Sequence, residues 1–349
     1  MQEQYTIGMI GNGSWATALV KILTDNKQKV NWWFRNKSSI DAIKKNGHNP
    51  NYLSSASLDV SLLNLCSDVN EVIDKSDLII IAVPSAYLQE VLESAKNKNW
   101  SHKKVLSAIK GLVPGADVLL NDYLQKNFHL PLDQYFAVLG PCHAEEVAAE
   151  KLSYLTFSGI IAEETERIAT LFNTSYINTI TNHDILGVQY AAVLKNVYAL
   201  GAGISQGLQY GDNFLSVYIA NSADEMAGFL RAVGAKHMVV GEHEGIDPHT
   251  HKKDLNYAAS VYLGDLLVTC YSLYSRNRTF GSMIGKGYSV SKAQQELNMV
   301  AEGYYASKAI KALCLDNNLV MPIADTVYNI LYEKMSAETE FSALGGKLC

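Results

Sequence analysis

The stretch YTIGMI at 5–10 runs directly into GNGSWATALVKIL, and this junction restricts the chain more than any other part of it. Six β-prone residues meet a glycine turn, and helical spacing starts at Ser14, so the segment reads as strand, tight turn, helix. Gly11, Gly13 and Ala16 stand in the G-x-G-x-x-A form of the dinucleotide fingerprint. Small residues there permit the turn, the approach of a pyrophosphate and close helix packing. The helix start adds free N–H groups and a positive dipole end for the phosphates.

A second strand, KVNWWF at 29–34, ends in Arg35. An acidic residue at that place suits the ribose hydroxyls of NAD, whereas a cation suits the 2′-phosphate of NADP, so Arg35 favours NADPH unless it is a solvated surface arginine. DLIIIAVPSAYLQEVLESA (77–95), KVLSAIKGL (104–112), QYFAVLGPCHAEEVA (134–148) and LSYLTFSGI (152–160) follow, with helical stretches between. Continuously apolar strands alternating with helices predict a parallel sheet covered on both faces. Ligands bind beyond the carboxyl ends of such strands, where Ser85, Lys110 and Cys142-His143-Ala144 lie.

After YINTITN at 176–182 the period changes. ILGVQYAAVLKNVYALGAGISQGL (185–208) and NFLSVYIANSADEMAGFLRAVG (213–234) read as long buried helices, and EGYYASKAIKALC and IADTVYNILYE as amphipathic ones. The expected division is a dinucleotide-binding domain over 1–183 and a helical substrate and catalytic domain over 184–349. Lys195 lies in a nearly uncharged helix, where a lysine is paired, has a task, or snorkels to the surface. The net charge of −6 excludes a general nucleic-acid binder. Five scattered cysteines without a C-x-x-C suggest neither disulfides nor a thiolate zinc site, which fits a reducing compartment. LIIIAV at 78–83 is too short to span a bilayer, and no membrane segment is expected. GEHEGIDPHTHKK, between Lys236 and Lys253, is rich in His and acid but lacks helical ligand spacing, so a solvated loop and no metal are expected. GSMIGKGYS at 281–289 misses the phosphate-loop spacing and follows no strand.

In this order GNGSWATAL, AVPSAYL, SAIKGL, GPCHAEEVA, VLKNVYALGAGISQGL, LGDLLVTCYSLYSRNRTFG and AEG resemble the bacterial NAD(P)-dependent glycerol-3-phosphate dehydrogenases over roughly 7–330. The resemblance implies an α/β Rossmann-type N-terminal domain with a predominantly parallel sheet, an all-α C-terminal domain and a cytoplasmic homodimer. It further implies NAD or NADP as cofactor and reversible reduction of dihydroxyacetone phosphate to sn-glycerol 3-phosphate, for phospholipid synthesis. Lys195 then corresponds to the general acid/base, Lys110 to a second active-site lysine at cofactor and substrate, and Asp265 to the catalytic aspartate. Ser275, Arg276 and Asn277 correspond to the substrate-phosphate cluster, and Gly140 and Cys142 to the substrate loop. On the cofactor side, Ser14, Trp15, Arg35, Ala144, Arg276 and Glu302 match contact positions, beside Gly11, Asn12 and Gly13 of the turn.

Three departures stand out. Cys142 and His143 replace a serine and an aromatic, Asn12 replaces the usual alanine, and the excess length between Lys195 and Asp265 is assigned to the His-rich insertion. The rival readings are a related two-domain dehydrogenase of another hydroxy acid or sugar acid, and a dinucleotide sensor without turnover.

Overall fold

A computed structural model of the chain describes residues 5–235, 261–297 and 300–349. Two compact units result, Met1–Ile185 and Leu186–Cys349. The His-rich stretch lies outside the described residues.

Eight strands form one sheet in the first unit: β1 (Ile7–Ile10), β2 (Val30–Trp33), β3 (Leu63–Cys66), β4 (Leu78–Ile81), β5 (Lys104–Ser107), β6 (Tyr135–Leu139), β7 (Ser153–Ser158) and β8 (Ile177–Asn182). Its order is β3-β2-β1-β4-β5-β6-β7-β8, so the winding reverses beside β1. The helices are α1 (Ser14–Asp25), α2 (Lys37–Asn46), α3 (Val69–Asp74), α4 (Ser85–Glu93), α5 (Leu120–Phe128), α6 (Ala144–Ala148) and α7 (Ala162–Thr170). The continuous apolar run of β4 has a simple cause. Leu78 and Ile80 enter one core with Leu19 and Trp32, while Ile79 and Ile81 enter a second with Val105 and Tyr135. Both faces are covered, and each buried aliphatic side chain contributes about 1.5–3 kcal/mol.

Two details depart from the sequence expectation of a parallel sheet built from the apolar runs. β3 forms an edge from LNLC, where only Cys66 is buried, so it carries too little apolar signal to be read as a strand. β7 runs antiparallel to β6. A parallel crossover carries the chain back across the sheet, usually on a full helix. Here the connection holds only the five-residue α6, so the chain turns back. Lys21, buried in α1, binds Asp25 at 2.7 Å and Glu150 beyond α6 at 2.9 Å. Burial opposes its charge, but the two carboxylates outweigh it and hold the ammonium above its ordinary pKa.

Among its described residues the second unit is helical: α8 (Ile185–Gly207), α9 (Asp212–Ala232), α10 (Leu263–Tyr271), α11 (Arg276–Gly285), α12 (Val290–Leu297), α13 (Glu302–Asp316), α14 (Pro322–Tyr332) and α15 (Ala337–Gly345). No helix among the described residues is long and apolar enough to cross a membrane. Backbone packs on backbone where α11 meets α8. A Cβ on Gly281 would lie 1.9 Å from the Leu200 oxygen, and one on Gly203 2.0 Å from the Arg278 oxygen.

Pro322 opens α14, where its missing N–H costs nothing. The next two N–H groups, of Ile323 and Ala324, donate to Glu225 of α9 at 2.8 and 3.0 Å. Burial pushes the Glu225 carboxyl up to about 7 from 4.5, although both N–H groups pull it down. The folded chain therefore holds this proton more tightly than the unfolded one. That contribution is complete below about pH 4.5 and is lost as the pH rises through about 7. Relative to Glu225→Gln, the native protein is expected to lose about 2–3 kcal/mol across this window. Urea unfolding of both proteins at several pH values measures it, and parallel profiles would reject the assignment.

Candidate active site

The nucleotide side is assembled within the first unit, at the carboxyl ends of β1, β2 and β4. These ends are level, since Ile10 pairs with both Trp33 and Ile81. Gly11 has φ +129, and a Cβ on it would lie 2.4 Å from the Ala82 oxygen, so packing alone demands glycine. Gly13 is different: a Cβ there would meet nothing within 4 Å. The fold does not need that glycine, and the open space fits the close approach of a pyrophosphate.

Three side chains brace the turn. Trp32 Nε1 donates to the Gly11 oxygen at 2.7 Å, Asn49 Nδ2 to the Asn12 oxygen at 3.0 Å, and Thr17 Oγ1 to the Gly13 oxygen at 2.9 Å. Because a trans peptide sets N–H opposite C=O, these bonds turn the N–H groups of Asn12, Gly13 and Ser14 away from their braces. The first turn of α1 carries no acidic residue, and no side chain caps it. Such a start is an anion seat, and these residues fit a dinucleotide. Of the three braces, Trp32 lay in the second strand and Asn49 in no motif, so only tertiary structure reveals their task.

Lys110, in the loop after β5, places Nζ 5.3 Å from the centre of the half-buried Trp15 ring, a cation–π distance. It is thereby brought to the fingerprint. Gly140 follows β6 at φ +127, and a Cβ on it would lie 2.8 Å from the Tyr154 oxygen. Cys142 is buried, His143 occupies the N-cap of α6, and Ala144 is its first, buried residue. Arg35 stands just beyond β2, 58% exposed, and pairs with Glu90 of α4 at 3.3 Å.

The second unit carries the other group. Lys195 on α8 is 3% exposed and Asp265 on α10 is 1% exposed. Lys195 Nζ donates to Asp265 Oδ1 as a buried ion pair. The reading of Lys195 as a snorkelling surface lysine is therefore excluded. Asp265 Oδ2 is buried with no hydrogen-bond partner among the described residues. An orphaned acceptor costs about 1–3 kcal/mol, and more when charged, so it calls for a donor beyond the described residues. One turn on, Thr269 Oγ1 donates to the Asp265 carbonyl at 2.5 Å. Burial lifts the neighbouring Cys270 thiol to about 12, although Lys195 and Arg278 pull it down, so it stays protonated at neutral pH.

Asn196, next to Lys195, accepts from Asn277 Nδ2 at 2.9 Å, and Asn277 Oδ1 accepts from the Gly303 N–H at 2.9 Å. One buried amide thus joins α8, α11 and the first turn of α13. Gly303 must be glycine, because a Cβ would lie 2.3 Å from the Asn196 oxygen. Ser275 caps α11 by accepting from the Arg278 N–H at 3.3 Å, Arg276 begins that helix, and Glu302 begins α13. The predicted phosphate cluster is thus a helix start, and Asn277 already spends most of its amide inside the protein. GSMIGKGYS closes α11 as helix and turn, not as a phosphate loop.

The comparisons agree with both halves. The family model described as NAD-dependent glycerol-3-phosphate dehydrogenase N-terminus matches residues 6–164, and that for the C-terminus matches 184–342. A glycerol-3-phosphate dehydrogenase (NAD(P)+) of Staphylococcus carnosus is 31% identical over 342 residues, covering 98% of each chain. The crystal structure of a glycerol-3-phosphate dehydrogenase from Coxiella burnetii is 26% identical, covers 98% of each chain and superposes with a TM-score of 0.84. A Plasmodium falciparum glycerol-3-phosphate dehydrogenase structure, 23% identical over 97% of this chain and 94% of its own, shares the fold at a TM-score of 0.80. A braced dinucleotide turn, a buried lysine–aspartate pair and end-to-end matches on both sides of residue 184 lead to one assignment: the chain belongs to the NAD-dependent glycerol-3-phosphate dehydrogenase family.

Proposed function

We propose that the chain interconverts dihydroxyacetone phosphate and sn-glycerol 3-phosphate with NAD(P)(H), with residues 1–183 binding the dinucleotide and 184–349 carrying the proton chemistry. The observation that carries the reading is the buried Lys195–Asp265 pair with its orphaned Oδ2. Family membership supports the substrate, and the rival hydroxy-acid and sensor readings have no comparable observation.

Reducing a ketone creates negative charge on its oxygen, which the site must protonate and stabilise. A bound reduced nicotinamide supplies the hydride. Lys195 Nζ gives its proton to the C2 oxygen during reduction and removes it during oxidation. Asp265 orients the lysine through Oδ1, and its Oδ2, unpartnered among the described residues, accepts from a substrate hydroxyl. Lys110, beside Trp15, adds positive charge on the cofactor side. Gly140 and Cys142 line the substrate loop, with backbone groups in place of the serine hydroxyl that Cys142 lacks.

Ser275, Arg276 and Asn277 hold the phosphate at the start of α11, where N–H groups and the helix dipole favour an anion. Asn277 serves chiefly by fixing that start to Asn196, with one amide hydrogen remaining for the ligand. The Arg276 fork suits a phosphate better than a point charge does. Arg276→Lys is therefore expected to raise KM for dihydroxyacetone phosphate by about tenfold or more, with kcat less affected. An unchanged KM would remove Arg276 from phosphate recognition.

Ser14, Trp15, Ala144 and Glu302 complete the proposed cofactor contacts, with Arg35 at the adenosine ribose favouring NADPH. From family membership we also propose a cytoplasmic homodimer that supplies glycerol 3-phosphate for phospholipid synthesis. Absorbance-followed oxidation of NADPH and NADH, with dihydroxyacetone phosphate beside dihydroxyacetone, tests the activity. Turnover of the unphosphorylated ketone alone would overturn it.

A further inference from the structure

Arg35 and Glu90 form a bridge with little structural purpose. Both side chains are mostly exposed, at 58% and 68%, and exposed pairs contribute little to stability. Their position is more informative. Arg35 follows β2 and Glu90 lies on α4, which follows β4, and these strands flank β1, whose carboxyl end opens into the Gly11–Gly13 turn. The bridge therefore joins the end of β2, where the adenosine ribose of a dinucleotide lies in this fold, to α4 on the other side of β1.

A guanidinium there has two possible anionic partners, the Glu90 carboxylate 3.3 Å away and the 2′-phosphate of NADP. We propose that Glu90 is a specificity-determining residue that competes with the 2′-phosphate for Arg35 and so holds the preference between NADPH and NADH closer to parity. NAD, which lacks the 2′-phosphate, leaves the bridge intact. NADP must displace Glu90 from Arg35 and then hold a phosphate beside a like charge. The proposal rests on the reading of Arg35 as the ribose-side contact.

The test is fluorescence titration of the full-length protein with NADPH and NADH, for the native chain, Glu90→Gln, Arg35→Ala and the double variant. Glu90→Gln is expected to tighten NADPH by about fivefold to tenfold and to change NADH by less than about twofold. The gain shrinks as salt is raised from roughly 0.05 to 0.5 M, because the groups are exposed. It disappears in the Arg35→Ala background, as a coupled pair requires. If Glu90→Gln leaves the ratio of the two affinities unchanged while Arg35→Ala shifts it, the role of Glu90 falls and that of Arg35 survives. If Arg35→Ala leaves the ratio unchanged, both fall. Equal tightening of both dinucleotides by Glu90→Gln would reduce Glu90 to a general surface charge and overturn the proposal.

Discussion

Replacing Lys195 by alanine is expected to lower kcat by about 10²–10⁴-fold, the usual worth of a positioned general acid, while dinucleotide affinity changes by less than about twofold. The side chain is buried and ion-paired to Asp265, so a loss of turnover could also reflect damage to the fold. Removing one member of a buried pair destabilises by about 3–5 kcal/mol, whereas replacing both by well-packed apolar side chains of similar volume is often nearly neutral. Lys195→Met with Asp265→Leu should therefore regain much of the stability and none of the turnover. Thermal unfolding and single-turnover kinetics on both variants separate the effects. A Lys195→Ala protein that keeps most of its kcat would end the assignment of Lys195 as proton donor.

The second large effect is structural. Gly281→Ala is expected to destabilise the protein by about 3 kcal/mol or more, because the new methyl would stand 1.9 Å from the Leu200 oxygen. Intrinsic propensity points the other way, since alanine in a helix interior is favoured over glycine by about 1 kcal/mol. Backbone has no rotamer by which to yield, so the collision wins. Gly228 is the control, in α9 with open space around its would-be Cβ, and Gly228→Ala should stabilise by about 0.5–1 kcal/mol. Equal responses of the two variants in urea unfolding would mean that α8 and α11 are not held by this contact. Since α11 begins with Arg276, its displacement should also weaken the phosphate binding proposed for that helix start.

The strand–turn–helix of 5–23, the apolar strands and the change of period near 183 were legible because each is a local pattern. A continuously apolar strand reports two covered faces, and helical spacing reports one. β3 was not legible, for an edge strand with one buried residue has almost no pattern. The antiparallel turn into β7 depended on how little helix its connection holds, not on the strand itself.

Within the site, the residues proposed to touch a ligand carry motifs, and those that hold them do not. Resemblance pointed to Lys195 and Asp265, but periodicity had no means of pairing residues 70 positions apart. Asn277 was reached through the resemblance as part of the phosphate cluster and was illegible as the bond between Asn196 and Gly303.

By itself, then, the sequence determined the kinds of element, their order and the dinucleotide turn, because short-range sterics and burial period act on neighbouring residues. Only the tertiary structure decided that Gly11 yields to Ala82 while Gly13 faces open space, that Trp32 and Asn49 brace the turn, and that Asp265 keeps one oxygen unpaired among the described residues. Those outcomes depend on which distant backbone or side chain arrives in contact, and long-range packing leaves no period in the chain.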